Sequence, residues 1–203
     1  MVPAAQRAEG APCDLVVVGC SWGGTRALAT ILEQLPEDAG TPLAVVQHRG
    51  PGVTDIALPQ FLRRRCPIPV EEAEDKTPIE PGRVFLAPAD YHLLVEGARF
   101  ALSTEAPLRH ARPSIDVLFE SAAESYGERL VGVVLTGTGR DGAAGLRRIG
   151  RRGGFTIVQD PATCERREMP EAAIAAHDPK RVVPVEEMAE MLVELCAERG
   201  RAA

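Results

Sequence analysis

Short apolar runs alternate with helical patterns along most of the chain. Residues 15–18 and 43–46 are rich in Val, Leu and Ala, which predicts buried strands. Between them, residues 25–35 carry apolar side chains at helical spacing and end before Pro36. The alternation continues with predicted strands at 68–70, 130–135 and 155–158, and predicted helices at 56–65, 113–126, 141–149, 169–176 and 185–199.

The middle of the chain breaks this rhythm. Short runs at 83–87, 92–96 and 99–102 follow one another, and the last two predict a hairpin that turns at Gly97-Ala98. Near-continuous apolar strands that alternate with helices predict a parallel sheet covered on both faces. We therefore expect one α/β domain over residues 13–203, with a doubly wound, mostly parallel sheet, helices on both faces and an antiparallel hairpin insert. Residues 1–12 are expected to form a flexible leader.

Composition narrows the functional classes. The 203 residues carry a net charge of −6, which argues against a nucleic-acid binder that relies on a broad basic face. The five cysteines are scattered without C-x-x-C spacing, which is typical of reduced cytoplasmic thiols rather than of a zinc site. No apolar run approaches the roughly 20 residues that span a bilayer, so we expect a cytoplasmic protein without membrane insertion.

The loop after the first predicted strand carries a candidate nucleophile. Residues 19–24 read Gly-Cys-Ser-Trp-Gly-Gly and contain G-x-S-x-G with Ser21 at its centre. In a nucleophile elbow, glycines permit a sharp strand-to-helix turn that exposes the serine. The same residues also fit a glycine-rich turn in which Ser21 only caps the next helix.

Two further loops carry a candidate base and a candidate acid. His48 directly follows the second buried strand, and Asp141 lies in the loop after the strand at 130–135. A carboxylate can orient an imidazole that takes a proton from a serine. His48 could instead be a hydrogen-bonded residue at a strand end, and Asp141 could cap the helix that follows it. The other histidines are His92, His110 and His177.

The third loop also fits a nucleotide site. Gly137, Gly139 and Gly142 have the spacing of the dinucleotide fingerprint, and Asp160 follows the next strand. Asp141 would place a negative charge beside the pyrophosphate, and this hypothesis leaves the Ser21 and His48 loops without a role.

The chain resembles the catalytic domain of the CheB chemotaxis methylesterases, from about Asp14 to the last predicted helix. The shared motifs are Val-Val-Gly-Cys-Ser-Trp-Gly-Gly at 17–24, Gln47-His48, Pro81-Gly82, Leu86-Ala87-Pro88, His92-Leu93, Arg112 to Phe119, Leu135 to Leu146, Gln159-Asp160 and Met169-Pro170. The resemblance implies a serine hydrolase with Ser21 as nucleophile, His48 as general base and Asp141 as orienting acid. No cofactor and no metal is implied.

The resemblance also implies a substrate. Family members hydrolyse glutamyl methyl esters, and some deamidate glutamines, on cytoplasmic helices of methyl-accepting chemoreceptors. Many members carry an N-terminal receiver domain, whereas about a dozen residues precede the first strand here. We therefore expect a stand-alone enzyme that is constitutively active or controlled by a separate protein. The residues leave its oligomeric state open.

Three departures from the family pattern surround the predicted site. Trp22 follows the serine where the family usually has a small residue, and it could narrow the groove, form a platform or pack on a helix. Thr138, beside Gly139, stands where the family usually has Met. The resemblance implies that Trp22, Thr138 and Gly139 bind the oxyanion or the substrate. Residues 163–168 are unusually charged. These departures keep open the alternative of a degenerate member that binds receptors without turnover.

Overall fold

The computed structural model describes residues 13–49 and 57–197. The predicted leader at 1–12, the first residue of the helix predicted at 56–65 and the end of the helix predicted at 185–199 lie outside these ranges. The strands are β1 (Leu15–Cys20), β2 (Leu43–Gln47), β3 (Val70–Glu72), β4 (Val84–Leu86), β5 (His92–Glu96), β6 (Arg99–Ser103), β7 (Leu130–Val134), β8 (Phe155–Gln159) and β9 (Arg181–Val183). The helices are α1 (Gly24–Leu32), α2 (Ala57–Arg63), α3 (Ile115–Tyr126), α4 (Ala143–Arg151), α5 (Glu168–Ala176) and α6 (Val185–Ala197).

One parallel sheet organises the described residues. Its seven strands have the order β3-β4-β2-β1-β7-β8-β9, and every pairing between them is parallel. Strands β5 and β6 form a separate antiparallel hairpin. The predicted fold class, a doubly wound α/β sheet with a hairpin insert, is confirmed.

Helices cover both faces of the sheet. Helices α1, α2 and α6 pack on one face, while α3, α4, α5 and the hairpin pack on the other. Along β1, Val16 and Val18 point into the first layer, whereas Leu15 and Val17 point into the second. Both sets are buried, which explains why the strand is a continuous apolar run rather than an alternating one.

The strand order changes direction at β1. From β1 the chain proceeds to β2 on one side, and β7 pairs with β1 on the other side before the chain continues outward to β8. In open α/β sheets ligands bind at the carboxyl ends of the strands, at such a switch point. The loops after β1, β2 and β7 meet there, and they are the loops that carry Ser21, His48 and Asp141.

Several predicted boundaries were wrong. Pro113 does not begin α3: it follows a cis peptide bond, and Ser114 in extended conformation is the N-cap. Asp141 lies outside α4, whose N-cap is Gly142. The strand predicted at 68–70 begins two residues later, as β3. Strand β9 was missed because it has three residues, two of which are exposed.

Candidate active site

Ser21 lies at a sharp turn between β1 and α1. Gly23 adopts a left-handed conformation with φ of 81° and is the N-cap of α1, without a side-chain capping bond. The interpretation of Ser21 as the helix cap is therefore wrong. Gly19 lies under the start of α3, and a Cβ at this position would collide with the Ile115 side chain. The backbone N–H of Ser21 donates to the carbonyl of Thr136, which joins this turn to the loop after β7 (3.0 Å).

His48 and Asp141 form a hydrogen-bonded pair. The distance between His48 Nε2 and Asp141 Oδ2 is 2.7 Å, and the side chains are 18% and 5% exposed. An ionised carboxylate only accepts hydrogen bonds, so His48 Nε2 is the donor in this pair, and Nδ1 is the nitrogen that faces away from Asp141. His48 is thus a hydrogen-bonded residue at the end of β2, and its partner is the carboxylate that the sequence predicts to orient it.

Adjacent strand ends place Ser21 beside His48. Cys20 of β1 is in register with Gln47 of β2, and the His48 N–H donates to the Cys20 carbonyl (3.0 Å), so Ser21 and His48 each directly follow the paired ends of the two strands. The Gln47 amide nitrogen donates to the carbonyls of Ser21 (2.8 Å) and His48 (2.9 Å) and ties the two loops together. Within the described residues the Ser21 hydroxyl makes no hydrogen bond, so the expected contact between Ser21 Oγ and His48 is not formed in this structure.

Asp141 caps α3 rather than the helix that follows it in the sequence. Its carboxylate accepts hydrogen bonds from the Ser114 hydroxyl (2.9 Å) and the backbone N–H groups of Ile115 (2.8 Å) and Asp116 (3.0 Å). Burial raises the pKa of Asp141, but the bonds from His48, Asp116 and Ile115 outweigh burial and hold the pKa below its ordinary value. The carboxylate is therefore held both ionised and in place.

Asp116 caps α4 in return. Its Oδ1 accepts from the backbone N–H groups of Gly142 (2.9 Å) and Gly145 (2.8 Å), and its Oδ2 lies 3.5 Å from Arg109 Nε. Burial, reinforced by the nearby charge of Asp141, raises the pKa of Asp116, although the bond from Gly145 opposes the increase. The sequence contained Ser114 and Asp116 only as part of a shared motif, and their role in holding Asp141 was missed.

The remaining histidines lie in other environments. His92 is buried behind the site, where Nδ1 accepts from the Ser114 N–H (3.2 Å) and Nε2 faces the Ala106 carbonyl (3.2 Å). His177 Nε2 lies 3.3 Å from the Thr156 hydroxyl, and His110 is exposed with a positive φ. Among the described histidines, His48 is therefore the one that pairs with Asp141.

The three residues expected to bind the oxyanion or substrate lie on exposed loops. Trp22 is 61% exposed, so the hypothesis that its ring packs on a neighbouring helix is wrong. Thr138 and Gly139 are exposed, and Gly139 has a φ of 84° that favours glycine. Within the described ranges, the backbone N–H groups of Trp22 and Thr138 donate to no acceptor. Both remain available to a ligand.

Thr136 joins the loops around Ser21. Its hydroxyl lies 3.0 Å from the carbonyl oxygens of Trp22 and Arg166 and accepts from the Arg166 N–H (2.9 Å). The Thr136 N–H donates to the Gln159 amide oxygen (2.9 Å), and Gln159 reaches Thr163 with its nitrogen. Sequence reasoning did not identify these tethers, because buried Thr and Gln at strand ends have no distinctive pattern.

Protein packing accounts for two of the three glycines of the nucleotide fingerprint, Gly137 and Gly142. A Cβ at Gly137 would collide with the Met169 sulfur, and one at Gly142 would lie 2.8 Å from Ile115 Cγ2. Asp160 accepts from the Ala162 N–H and caps a short 3₁₀ turn, Pro161–Thr163. Gly137 thus permits close packing against Ser21 and Met169, and Gly142 permits it against Ile115, so the arrangement does not favour the nucleotide hypothesis.

The described residues contain neither a helix able to span a membrane nor a cluster of metal-ligating side chains. No helix among them is long and apolar enough to cross a membrane. Nor does the described part of the chain contain a group of three or more His, Cys, Asp or Glu side chains arranged to hold a metal ion.

Comparison with known proteins finds one family over most of the chain. The family described as CheB methylesterase matches residues 16–192. A protein of Leptospira interrogans is 43% identical over 183 residues, which are 90% of this chain and 94% of that protein. A protein-glutamate methylesterase/protein-glutamine glutaminase of Symbiobacterium thermophilum is 40% identical over 92% of this chain, which spans 52% of that protein.

A solved structure is also similar. The crystal structure of the Thermotoga maritima CheB methylesterase catalytic domain superposes with a TM-score of 0.85 at 35% identity, over 91% of this chain and 100% of that one. The sequence match and the fold agree over nearly the same residues. The chain belongs to the CheB methylesterase family.

Proposed function

We propose that this chain is a protein-glutamate methylesterase, a serine hydrolase that removes methyl groups from glutamyl esters on cytoplasmic helices of methyl-accepting chemoreceptors. One observation carries the proposal: a 2.7 Å pair between His48 and Asp141 lies beside a serine at a strand-to-helix elbow. The relatives of Symbiobacterium thermophilum and Anaeromyxobacter dehalogenans are named for the same activity. The enzyme would act in the cytoplasm, where those helices lie.

The nitrogens of His48 determine the proton path. Because Nε2 donates to Asp141, Nδ1 is the atom that takes the Ser21 proton as the hydroxyl attacks the ester carbonyl. Asp141 stabilises the imidazolium that results. The imidazolium then protonates the departing methoxide, and methanol leaves. Water, activated by the same Nδ1, hydrolyses the acyl-enzyme to a glutamate.

The oxyanion would be held by the backbone. Among the described residues, the Trp22 and Thr138 N–H groups have no protein acceptor, and α1 begins at Gly24 with the positive end of its dipole near Ser21. Donors of this kind stabilise the developing charge without reorganising. Since the Thr138 side chain is exposed, a backbone role also explains how Thr can replace the usual Met.

The same site would deamidate glutamine. A glutaminyl amide forms the same acyl-enzyme when ammonia leaves in place of methanol, with His48 as the acid in both cases. The names of the relatives combine the two activities. We therefore propose deamidation as a second reaction of the same residues.

Methanol release tests the proposal. The wild-type chain is expected to release methanol from a methylated cytoplasmic fragment of a chemoreceptor, and Ser21→Ala should lower the rate by about 10⁴-fold or more. Ser103→Ala, on the hairpin, serves as the matched control and should retain wild-type activity. Receptor binding without methanol release, unchanged in Ser21→Ala, would instead favour a binding module and contradict the enzyme.

A further inference from the structure

Trp22 and Arg166 form a stacked pair beside the nucleophile. The guanidinium carbon of Arg166 lies 5.6 Å from the centroid of the Trp22 ring. The ring is 61% exposed, and the Arg166 side chain is exposed as well. A cation over an indole face is attracted by the ring quadrupole, which holds the charge over the ring. An apolar surface and a positive charge are thus presented together next to Ser21.

Among the residues that the structure describes, Arg166 has no acidic partner, unlike the charged residues on either side of it. Arg26 pairs with Glu165 (3.1 Å), and Arg167 pairs with Glu171 (3.4 Å). Within the described part of the chain, no carboxylate lies within ion-pair distance of Arg166. Although the protein has a net charge of −6, this exposed arginine forms no ion pair with any described residue. Its five N–H donors are therefore available to a bound anion.

The backbone fixes this pair relative to the serine. Thr136 contacts the carbonyls of both Trp22 and Arg166, and the Gly137 N–H donates to the Arg166 carbonyl (3.0 Å). Trp22 directly follows Ser21, so their Cα atoms lie about 3.8 Å apart. The stacked side chains thus project from anchored backbone rather than from a free loop.

We propose that Trp22 and Arg166 together are a specificity determinant, which selects substrate helices that carry a carboxylate one turn from the reacting glutamyl ester. This inference rests on the proposed function. Residues three or four apart on a helix have Cβ atoms about 5–6 Å from each other, which suits an arginine stacked next to the nucleophile. The guanidinium binds a carboxylate in bidentate geometry, and the indole covers the methylenes of the same side chain.

The chemistry of the substrate supports this choice of ligand. A segment that carries several modifiable glutamates presents free carboxylates wherever methyl groups have been removed. A neutral glutamine at the same position offers the guanidinium only a carbonyl oxygen. The enzyme would therefore act faster on a partly demethylated helix than on one whose neighbouring positions are amidated.

Matched substrates test this inference. Two receptor fragments would each carry one glutamyl methyl ester, with either Glu or Asn four residues away on both sides, because Gln would itself be a substrate for the proposed deamidation. We expect wild-type kcat/KM to be about three- to fivefold higher for the Glu fragment at low salt, as for an exposed ion pair, with the ratio falling as salt rises. Arg166→Gln and Trp22→Leu should each bring the ratio close to one.

The ratio of kcat/KM between the two fragments distinguishes substrate recognition by Arg166 from a structural role of this residue. Arg167→Gln, which removes a neighbouring arginine already paired with Glu171, should keep the wild-type ratio. An equal decrease on both fragments in Arg166→Gln, or a wild-type ratio of one, would overturn the inference while leaving the methylesterase intact. If wild type released methanol from neither fragment, the proposed function itself would fail.

Discussion

The candidate site has two halves that are built differently. In the acid–base half, Asp141 is buried and accepts from His48, from a serine hydroxyl and from backbone N–H groups. In the nucleophile half, the hydroxyl of Ser21 makes no hydrogen bond within the described ranges, and Trp22 and Thr138 are exposed. In the acid–base half, many hydrogen bonds fix the position of the carboxylate. In the nucleophile half, the side chains are left without such bonds within the described ranges.

This difference follows from what each half must do. A carboxylate that orients an imidazole needs one position and one charge state, and both result from buried hydrogen bonds. A nucleophile and its neighbours must accept a large and variable substrate, so unused donors and exposed side chains are required there. We expect substitutions in the first half to change the chemistry, and those in the second to change substrate preference unless they remove Ser21 itself.

The largest effect that separates the halves is expected for Asp141→Asn. The amide keeps the shape of the carboxylate but turns an NH₂ group toward donors, and it no longer stabilises an imidazolium. We expect kcat to fall by about 10⁴-fold, the size found for the corresponding change in a serine protease. Steady-state methanol release measures this effect, and circular dichroism checks the fold. A decrease of less than tenfold would remove Asp141 from the mechanism.

An intermediate effect is expected at Asp116, which holds the loop of Asp141 without contacting substrate. Asp116→Ala deletes the acceptor for the Gly142 and Gly145 N–H groups, and a small displacement of Asp141 then lowers kcat by about 10- to 100-fold. Asp116→Asn keeps that oxygen and should stay within a few fold of wild type. Equal activity in the two variants would show that the cap does not position Asp141.

The same residue gives a pH prediction for stability. Burial and the charge of Asp141 raise the pKa of Asp116, so the folded protein binds this proton more tightly than the unfolded chain. The contribution of Asp116 to the free energy of unfolding therefore decreases as pH rises from the ordinary value of 3.8 through the raised pKa. Asp141, whose pKa is lowered, has the opposite slope and loses its contribution as pH falls through that lower pKa.

Chemical denaturation across this range separates the two contributions. Because Asn does not titrate, the stability of Asp116→Asn relative to wild type should improve as pH rises through the raised pKa. A difference between the two proteins that stays constant with pH would show that Asp116 is not perturbed.

The smallest effect is expected at Thr138. Its side chain is exposed, so Thr138→Met and Thr138→Ala should both stay within about threefold of wild-type kcat/KM if only the backbone N–H contacts the oxyanion. Methanol release on one receptor fragment measures both variants. A decrease of 10²-fold in either would assign the oxyanion contact to the hydroxyl.

Sequence patterns predicted the sheet and the meeting of the three loops, because a buried strand is an apolar run and the polar residues after it mark where it ends. They did not predict how Asp141 is held. Ser114 and Asp116 come from a helix 25 or more residues away in the chain, and only the packing of α3 against α4 brings them to Asp141. Trp22 also stayed ambiguous, because its neighbour Arg166 is far away in the sequence.

The most direct test of the central claim is whether Ser21 becomes acylated. Wild-type protein mixed with a methylated receptor fragment and quenched in acid within milliseconds would be examined by mass spectrometry. We predict an adduct equal to the fragment minus methanol on the peptide that contains Ser21, absent in Ser21→Ala and formed far more slowly in His48→Ala. An adduct on another residue, or Ser21→Ala turning over at more than about a tenth of the wild-type rate, would contradict this mechanism.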